Sequence, residues 1–561
     1  LLSCVISQLL ELINKSISKK DGEQRQKTFT PQISGIKGTL IRAIITIGCL
    51  PYKAYISAKS IIKTIYRKTI TKKHMLEWLT SEEAEKQSKT DLTSYYKQML
   101  INVIIGTIII IYNINIYEIL LGILWIIIPF IMCEISKEIK RKTQIETINK
   151  ENKEYLLNIA KSTWQFFETY LNDKHNYLIP DNYQEGRKQK VVPRTSSTNI
   201  GLSLLAVISA YDLNFITLEH TVDLLKKILY TIISLEKWNG HLYNWYDTKT
   251  KNPLIPRYIS TVDSGNFVGY LYTTKIFLQN LNSQELESYV KYIEKLIEET
   301  NFKLLYNKEN QIFSIGYNIE ENKLTDSYYD LLASEARQAS LIAIAKKDVP
   351  VKHWNKLSRT LTTLGKYKGL ISWSGTSFEY LMPNINIPKY EGSLLDESCK
   401  FMIMSQKQYA KKLQIPWGIS EAAFNLKDLQ GNYQYKAFGI PWLGLKRGLA
   451  DEMVSATYGS ILAINEEPQE VIKNLKILEK YGMNGKYGFY ESIDFTPERV
   501  EKATPVKTYM AHHQALILLS INNLFNNNIF QKRFMQNPEI DSVSILLQER
   551  MPETSIITKE T

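Results

Sequence analysis

Carboxylates set among aromatic residues are the groups in this sequence best suited to chemistry. Glu335 lies in SYYDLLASEARQAS, Glu379 in WSGTSFEYLMP, and Glu421 in PWGISEAAF, just after Pro416, Trp417 and Gly418. Glu491 and Asp494 share YGFYESIDFTP, Asp263 lies in YISTVDSGN, and Asp247 in HLYNWYDT. Transfer or cleavage of a glycosidic bond needs two carboxyl groups, one protonated and one ionised. Aromatic, glycine-rich surroundings can raise one pKa and leave room for a sugar ring. Any single Glu of this kind is more commonly a helix cap or half of an ion pair. Six such clusters in one chain point to a carbohydrate site without showing which two residues react. On a helix, Tyr328, Leu332 and Glu335 would share one face at i, i+4 and i+7.

Other chemistries lack their residues. No GxxxxGK[ST] phosphate loop, no GxGxxG after a strand and no GxSxG elbow occurs. His512-His513 is the sole paired histidine and has no neighbours at metal-ligand spacing, so it reads as a structural or substrate-contacting pair. Neither a metal nor another cofactor is expected. Cys4, Cys49, Cys133 and Cys399 form no CxxC pair, which argues against a disulfide framework or a zinc ribbon. Tyr outnumbers Phe, 35 to 18. A groove that stacks on sugar faces and hydrogen-bonds hydroxyls would use Tyr and Trp; the codon bias of an AT-rich genome would give the same count.

The elements that must position these groups are mostly helical. From about residue 150 onward, apolar residues recur at three- and four-residue spacing between polar, aromatic-rich loops. Helices are predicted over 155–171, 199–211, 218–237, 265–279, 283–301, 327–345, 393–411, 451–465, 468–481 and 508–523. No run of period-two strands dominates, and no solenoid repeat is present. This alternation suggests an all-α (α/α)6 toroid over 151–545, its site gathered from loops at one end of an inner helical ring. Fold alone does not give function.

Residues 1–150 differ. They carry 22 Lys/Arg and 12 Asp/Glu, so they hold nearly all of the chain's net charge of +12. Lys53, Lys59, Lys63, Arg67 and Lys68 alternate with Ile and Tyr in predicted helices over 36–70, broken at Pro51, a pattern that can lie flat on an anionic bilayer. Residues 99–133 contain one charge, Glu118. One straight helix of that length would exceed the roughly 20 residues needed to span a bilayer. With Asn113 and Asn115 at the middle, a transmembrane hairpin is the economical solution. The flanking Lys86, Lys89, Lys97, Lys137, Lys140, Arg141 and Lys142 place both ends in the cytoplasm. A buried hydrophobic hairpin in a soluble protein is the alternative. The basic excess suits a membrane surface better than a nucleic acid. The chain begins at Leu1 without Met and reads as a piece of something longer.

A series of long motifs carries a resemblance. RTSSTNIGLSLLA (194–206), GHLYNWYDT (240–248), PRYISTVDSGN (256–266), SYYDLLASEAR (327–337), WSGTSFEYLMP (373–383), PWGISEAAF (416–424), YQYKAFGIPWLGLKRGL (433–449), GFYESIDFTP (488–497) and YMAHHQA (509–515) resemble the central region of cyclic β-1,2-glucan synthases. LPYKAYISAKSIIKTIYRKTITKKHMLEW (50–78) is similar to their membrane-proximal part.

The resemblance implies a bacterial inner-membrane protein with its catalytic domain facing the cytoplasm. A glycosyltransferase would precede this region and a phosphorylase-like domain would follow it, joined through a linker over 546–561. The central domain, glycoside hydrolase family 189, would close β-1,2-glucan into a ring by anomer-retaining transglycosylation, needing neither metal nor nucleotide. The matching glutamates are Glu335 as acid/base and Glu421 as nucleophile. Asp263, Tyr328, Asp330, Trp373, Glu379, Trp417, Gln434, Tyr435 and Glu491 are candidate substrate contacts. The alternatives are a retaining endo-β-1,2-glucanase and a non-catalytic glucan-binding module.

Overall fold

The structure, a computed structural model, describes residues 36–73, 91–112, 115–136 and 144–551. These fall into two compact units, 36–136 and 144–551. Cys4, Asn113, Lys86, Lys89, Lys137, Lys140, Arg141, Lys142 and the last ten residues of the expected linker lie outside the described residues.

The first unit is a set of apolar helices: α1 (Ile36–Gly48), α2 (Leu50–Tyr66), α3 (Leu92–Gln98), α4 (Leu100–Tyr112) and α5 (Ile116–Ser136). Pro51 sits in the first turn of α2, where its missing N–H costs nothing. Helices α4 and α5 cross at Gly106 and Gly122; a Cβ on Gly106 would come within 2.7 Å of the Gly122 carbonyl oxygen. Buried polar groups tie the unit together, Asn102 Nδ2 donating to Gly48 O and Trp125 Nε1 to Ile47 O. Ile104, Ile108, Leu120, Ile127 and Phe130 stay exposed. Among the described residues α5 is long and apolar enough to cross a membrane. Leu40–Gly48 with Leu50–Thr71, and Leu92–Gln98 with Leu100–Tyr112, would each do so only as one span bent by 53° or 68°.

Of the fourteen α-helices described in the second unit, twelve alternate between two kinds, and two short ones, Ile529–Met535 and Pro538–Asp541, follow them. One kind is amphipathic: α6 (Lys150–Tyr170), α8 (Leu218–Ser234), α10 (Glu287–Glu299), α12 (Lys352–Lys356), α14 (Leu394–Leu413) and α16 (Pro468–Lys480). In α10 only Val290, Ile293, Leu296 and Ile297 are buried, a single stripe. The other kind is buried nearly all round: α7 (Ser197–Asp212), α9 (Thr261–Asn280), α11 (Arg337–Ala345), α13 (Ser377–Leu381), α15 (Thr457–Ile461) and α17 (Ala511–Phe525). Helix α7 packs on α9 and α17, α9 on α11, and α15 on α13 and α17. Side-chain caps from Asn149, Ser196, Thr217, Ser260, Thr376 and Ser393 start half of the twelve by accepting an N–H three residues on.

The buried helices run parallel. Near their N-termini, Gln338 Nε2 donates to Asn266 Oδ1, Asn266 Nδ2 to Thr198 Oγ1, and Thr198 Oγ1 to Asp263 Oδ1. Near their C-termini amides cap carbonyls: Asn523 Nδ2 on Ile385 O, Asn465 Nδ2 on Ser520 O, Gln531 Nε2 on Asn384 O.

The molecule is mostly helical, but short antiparallel strands feed five of the buried helices at their N-terminal ends: 194–195, 258–260, 328–329, 454–456 and 508–510. Two expected helices are corrected by them. Residues 327–336 are not helical, because Tyr328 and Tyr329 pair with Ser314 and Phe313, and the helix begins only at Arg337. Tyr328, Leu332 and Glu335 therefore share no helix face. The helix expected over 451–465 is confined to Thr457–Ile461, because Val454–Ala456 pairs with Ser492–Asp494. The domain also runs past the expected edge at 545: Glu549 pairs with Arg359, and its carbonyl accepts from Leu394 N.

Arg337, 1% exposed, joins α11 to the segment after α13. Its guanidinium donates to the carbonyls of Ser334, Glu379 and Tyr380 and to Asn384 Oδ1. Arg337→Met leaves those acceptors unpaired and is expected to cost about 2–4 kcal/mol in chemical denaturation of the second unit. Arg337→Lys, a point charge without the fork, is expected to recover less than half of it.

Candidate active site

A cavity of about 530 Å3 lies at the N-terminal ends of α11 and α13 and takes in Glu335, Glu379 and Glu421. Glu335 occupies the turn before α11. Its Oε2 accepts from Ser334 Oγ at 3.3 Å. Glu421 starts the hairpin formed by Ala422–Lys427 and Tyr433–Lys436. It follows a turn clasped from both sides. Gln406 of α14 exchanges hydrogen bonds with Ile419 N and O, and Asn474 of α16 does the same with Trp417. Gly418, at φ +133°, is the residue the turn requires, since a Cβ there would lie 2.5 Å from Ala456 O.

Two tyrosines fix Glu421. Tyr435 Oη donates to Glu421 Oε2 at 2.9 Å, and Tyr458 Oη to its carbonyl at 2.8 Å. Both rings rest against His513, Tyr458 stacked at 3.6 Å and Tyr435 at 6.0 Å between centroids. His513 Nδ1 is 2.7 Å from Glu491 Oε1, which also accepts from Ala423 N, two residues after Glu421.

Burial dominates the electrostatics. It pushes Glu335 up to about 8, helped by the charges of Glu379 and Glu421. Burial also raises Glu421, to about 7, opposed by the Tyr435 hydroxyl and the Lys446 charge. Glu379 is raised by burial against the backbone and hydroxyl donors of Ser372, Ser374 and Thr376. Glu491 is pushed by burial to about 8, and His512 and His513 are driven below the usual imidazole range. Both carboxyls are thus pushed towards neutrality, where one of a pair can hold a proton while the other has lost it.

The expected contacts divide. Tyr328, Asp330, Trp373 and Glu379 line the cavity with the two glutamates, and Trp373 Nε1 donates to Asp330 Oδ1 at 3.0 Å. Tyr435 touches Glu421 directly. Asp263 is half-buried at the start of α9 and bonded to Thr198. Three others stand apart from this cavity. Trp417 is buried in the core, its main chain clasped by Asn474. Glu491, 2% exposed, faces His513, so it braces the hairpin from behind. Gln434 is solvent-exposed on the strand face opposite Tyr435. The reading of residues missed Tyr329, which lines the cavity, and Tyr458. The tyrosine pair in SYYD was the available signal for the first; nothing local marks Tyr458. Among the described residues no group of three or more His, Cys, Asp or Glu could hold a metal ion.

The family model Glycoamylase, described as "Putative glucoamylase", matches residues 327–538. That stretch contains Glu335, Glu379, Glu421 and Glu491. The chain is similar to the cyclic β-(1,2)-glucan synthase NdvB of Rhizobium meliloti, 28% identical over 98% of this chain, and spans about a quarter (24%) of that relative's length. The resemblance to cyclic β-1,2-glucan synthases therefore runs through nearly the whole chain. The endo-β-1,2-glucanase of Chitinophaga pinensis, solved with sophorotriose and glucose, aligns at TM-score 0.59 and 14% identity over 71% of this chain and 98% of its own. A Bacteroides fragilis structure with the same description as the family model aligns at TM-score 0.60 and 15% identity over 73% of this chain and 99% of its own. These structural likenesses show a shared, mostly helical fold.

Carboxyl groups raised by folding bind protons more tightly in the native state than in the unfolded chain. Their stabilisation is complete below about pH 4.5 and is lost as pH rises through the folded values near 7 and 8. Thermal unfolding from pH 5 to 9 is expected to show a falling midpoint. Glu335→Gln and Glu421→Gln should flatten that slope by up to about 1.4 kcal/mol per pH unit each.

Proposed function

We propose that this chain closes linear β-1,2-glucan into a ring by anomer-retaining transglycosylation, with Glu421 as nucleophile and Glu335 as acid/base. The carrying observation is that these two glutamates, at matching motif positions, face one cavity with proton affinities raised by burial. Similarity to a cyclic glucan synthase, together with the β-1,2-glucanase-like fold, supports β-1,2-glucan processing by a glycoside-hydrolase-type enzyme. We further propose that the alternating helices of the second unit close as an (α/α)6 toroid. The first unit would sit in or on the bacterial inner membrane, leaving the second in the cytoplasm. Glycosyltransferase and phosphorylase-like domains would complete the protein.

In the first step Glu421 attacks the anomeric carbon while Glu335 gives its proton to the leaving glycosidic oxygen. The C1–O bond breaks, a C1–Oε ester forms, and the reducing-end fragment leaves. In the second step Glu335 takes the proton of a 2-hydroxyl at the non-reducing end of the same chain. That oxygen displaces Glu421 and restores the β configuration. Tethering favours it over water, since well-oriented intramolecular partners can reach effective concentrations of about 10⁵ M or more. Hydrolysis is the second reading, favoured by the structural neighbour that is an endo-β-1,2-glucanase.

Linear β-1,2-glucan incubated with the chain in detergent should give product resistant to exo-β-glucosidase with a constant count of reducing ends. Rising reducing ends without resistant product would mean hydrolysis; glucan binding without turnover would mean a binding module. Glu335→Gln and Glu421→Gln should each lower the rate by about 10²–10⁴-fold. The mechanism needs Glu421 ionised and Glu335 protonated, so the pH–rate profile should be a bell, with both limbs shifted up from the usual carboxylate range towards neutrality.

A further inference from the structure

A second cavity, of about 220 Å3, lies beside the Glu421 hairpin. Tyr435 walls the second cavity, and its hydroxyl is bonded to Glu421, which walls the first. The other walls come from the strand Asn182–Gln184, from Arg194, and from the turn of the Glu421 hairpin.

The cavity is built, and its lining carries two carboxylates, Asp181 and Asp428, and one guanidinium, Arg194. Asp181, 1% exposed, accepts from Arg194 Nη2 at 3.2 Å, and the Arg194 guanidinium lies 4.3 Å over the Trp245 ring. Asp428 closes the hairpin turn by accepting from Gln430 N and from Asn432 N and Nδ2. Gln184 fixes the hairpin to the neighbouring strand through Tyr433 N. One acceptor is left over: Asn432 Oδ1 is buried without a hydrogen-bond partner. A buried acceptor without a donor is costly, so a ligand hydroxyl delivered there would be favoured. The polar lining, with one carboxylate in excess and Tyr433 and Tyr435 beside it, suits an uncharged polyhydroxylated ring rather than a phosphate.

We propose that this cavity is a subsite for one glucosyl unit of the glucan being processed, held about a tyrosine's length from the reacting centre at Glu421. The inference rests on the glucan reading above. Ring closure requires one chain to be held at two places at once, whereas hydrolysis requires only the scissile bond. Occupancy of the second cavity therefore favours a sugar hydroxyl over water as acceptor.

Two substitutions from opposite walls test it. Asn432→Leu removes the free acceptor, and Val192→Phe fills the space without touching the hairpin. In a Glu421→Gln background, calorimetry with β-1,2-linked glucose oligomers should show each substitution weakening long oligomers about tenfold and leaving the disaccharide unchanged. In the active chain each should lower the ratio of ring to hydrolysed product. Unchanged long-oligomer affinity and unchanged product ratio, in a protein that still converts glucan, would overturn the subsite alone. Failure of the unsubstituted chain to bind or convert glucan would overturn both it and the glucan reading.

Discussion

Glu335, Glu379 and Glu421 face one cavity in the second unit together with Asp326 and Asp330, and Glu491 lies behind it; Glu379 and Glu491 are buried, Glu335 and Glu421 half-buried. Charges so close and so poorly solvated cannot all ionise together. The surrounding structure distributes the protons. Hydroxyl and backbone donors crowd around Glu379, one tyrosine hydroxyl is given to Glu421, and Glu335 receives little more than Ser334. The glutamates thus differ in the donors that each one receives. The clasped turn at Trp417–Ile419 and the tyrosines resting on His513 hold that difference at fixed geometry.

The layout spreads this work over distant segments. Buried helices begin at the site and short strands feed most of them, so each loop contributes one or two side chains from a rigid start. Glu335 arrives from before α11, Glu379 from within α13, and Glu421 from the loop between α14 and α15. None could be moved without displacing a buried helix.

Much of the scaffold was legible. The helices expected over 155–171, 199–211, 218–237, 265–279, 283–301, 393–411, 468–481 and 508–523 each have a counterpart, and the stripe of α10 has the period of a half-buried helix. Helices α12 and α13 were not legible, because five residues are too few to show a period. The segment 327–336 misled because its local spacing is helical, while pairing with Phe313 and Ser314 decides the outcome. Trp417 and Glu491 looked like sugar contacts because an aromatic or a Glu beside a glycine-rich loop reads the same whether it points to a groove or to the core. Tyr458 was invisible: its role depends on His513 and Glu421, residues 55 and 37 positions away. The pairing of Glu335 with Glu421 came from the family motifs, since no local pattern joins residues so far apart.

The amide caps at the far ends of the buried helices make the unit chemically asymmetric. Asn465, Asn523 and Gln531 carry no titratable proton, and the ionic groups nearby are matched, as Arg533 is with Asp212 and Lys389 with Asp396 and Glu466. One pole of the domain is thus indifferent to moderate changes in pH, while the pole holding the glutamates is not. Local opening in alkaline solution should therefore begin at the rim that holds the glutamates and leave the amide-capped floor protected, giving the domain a built-in order of disassembly.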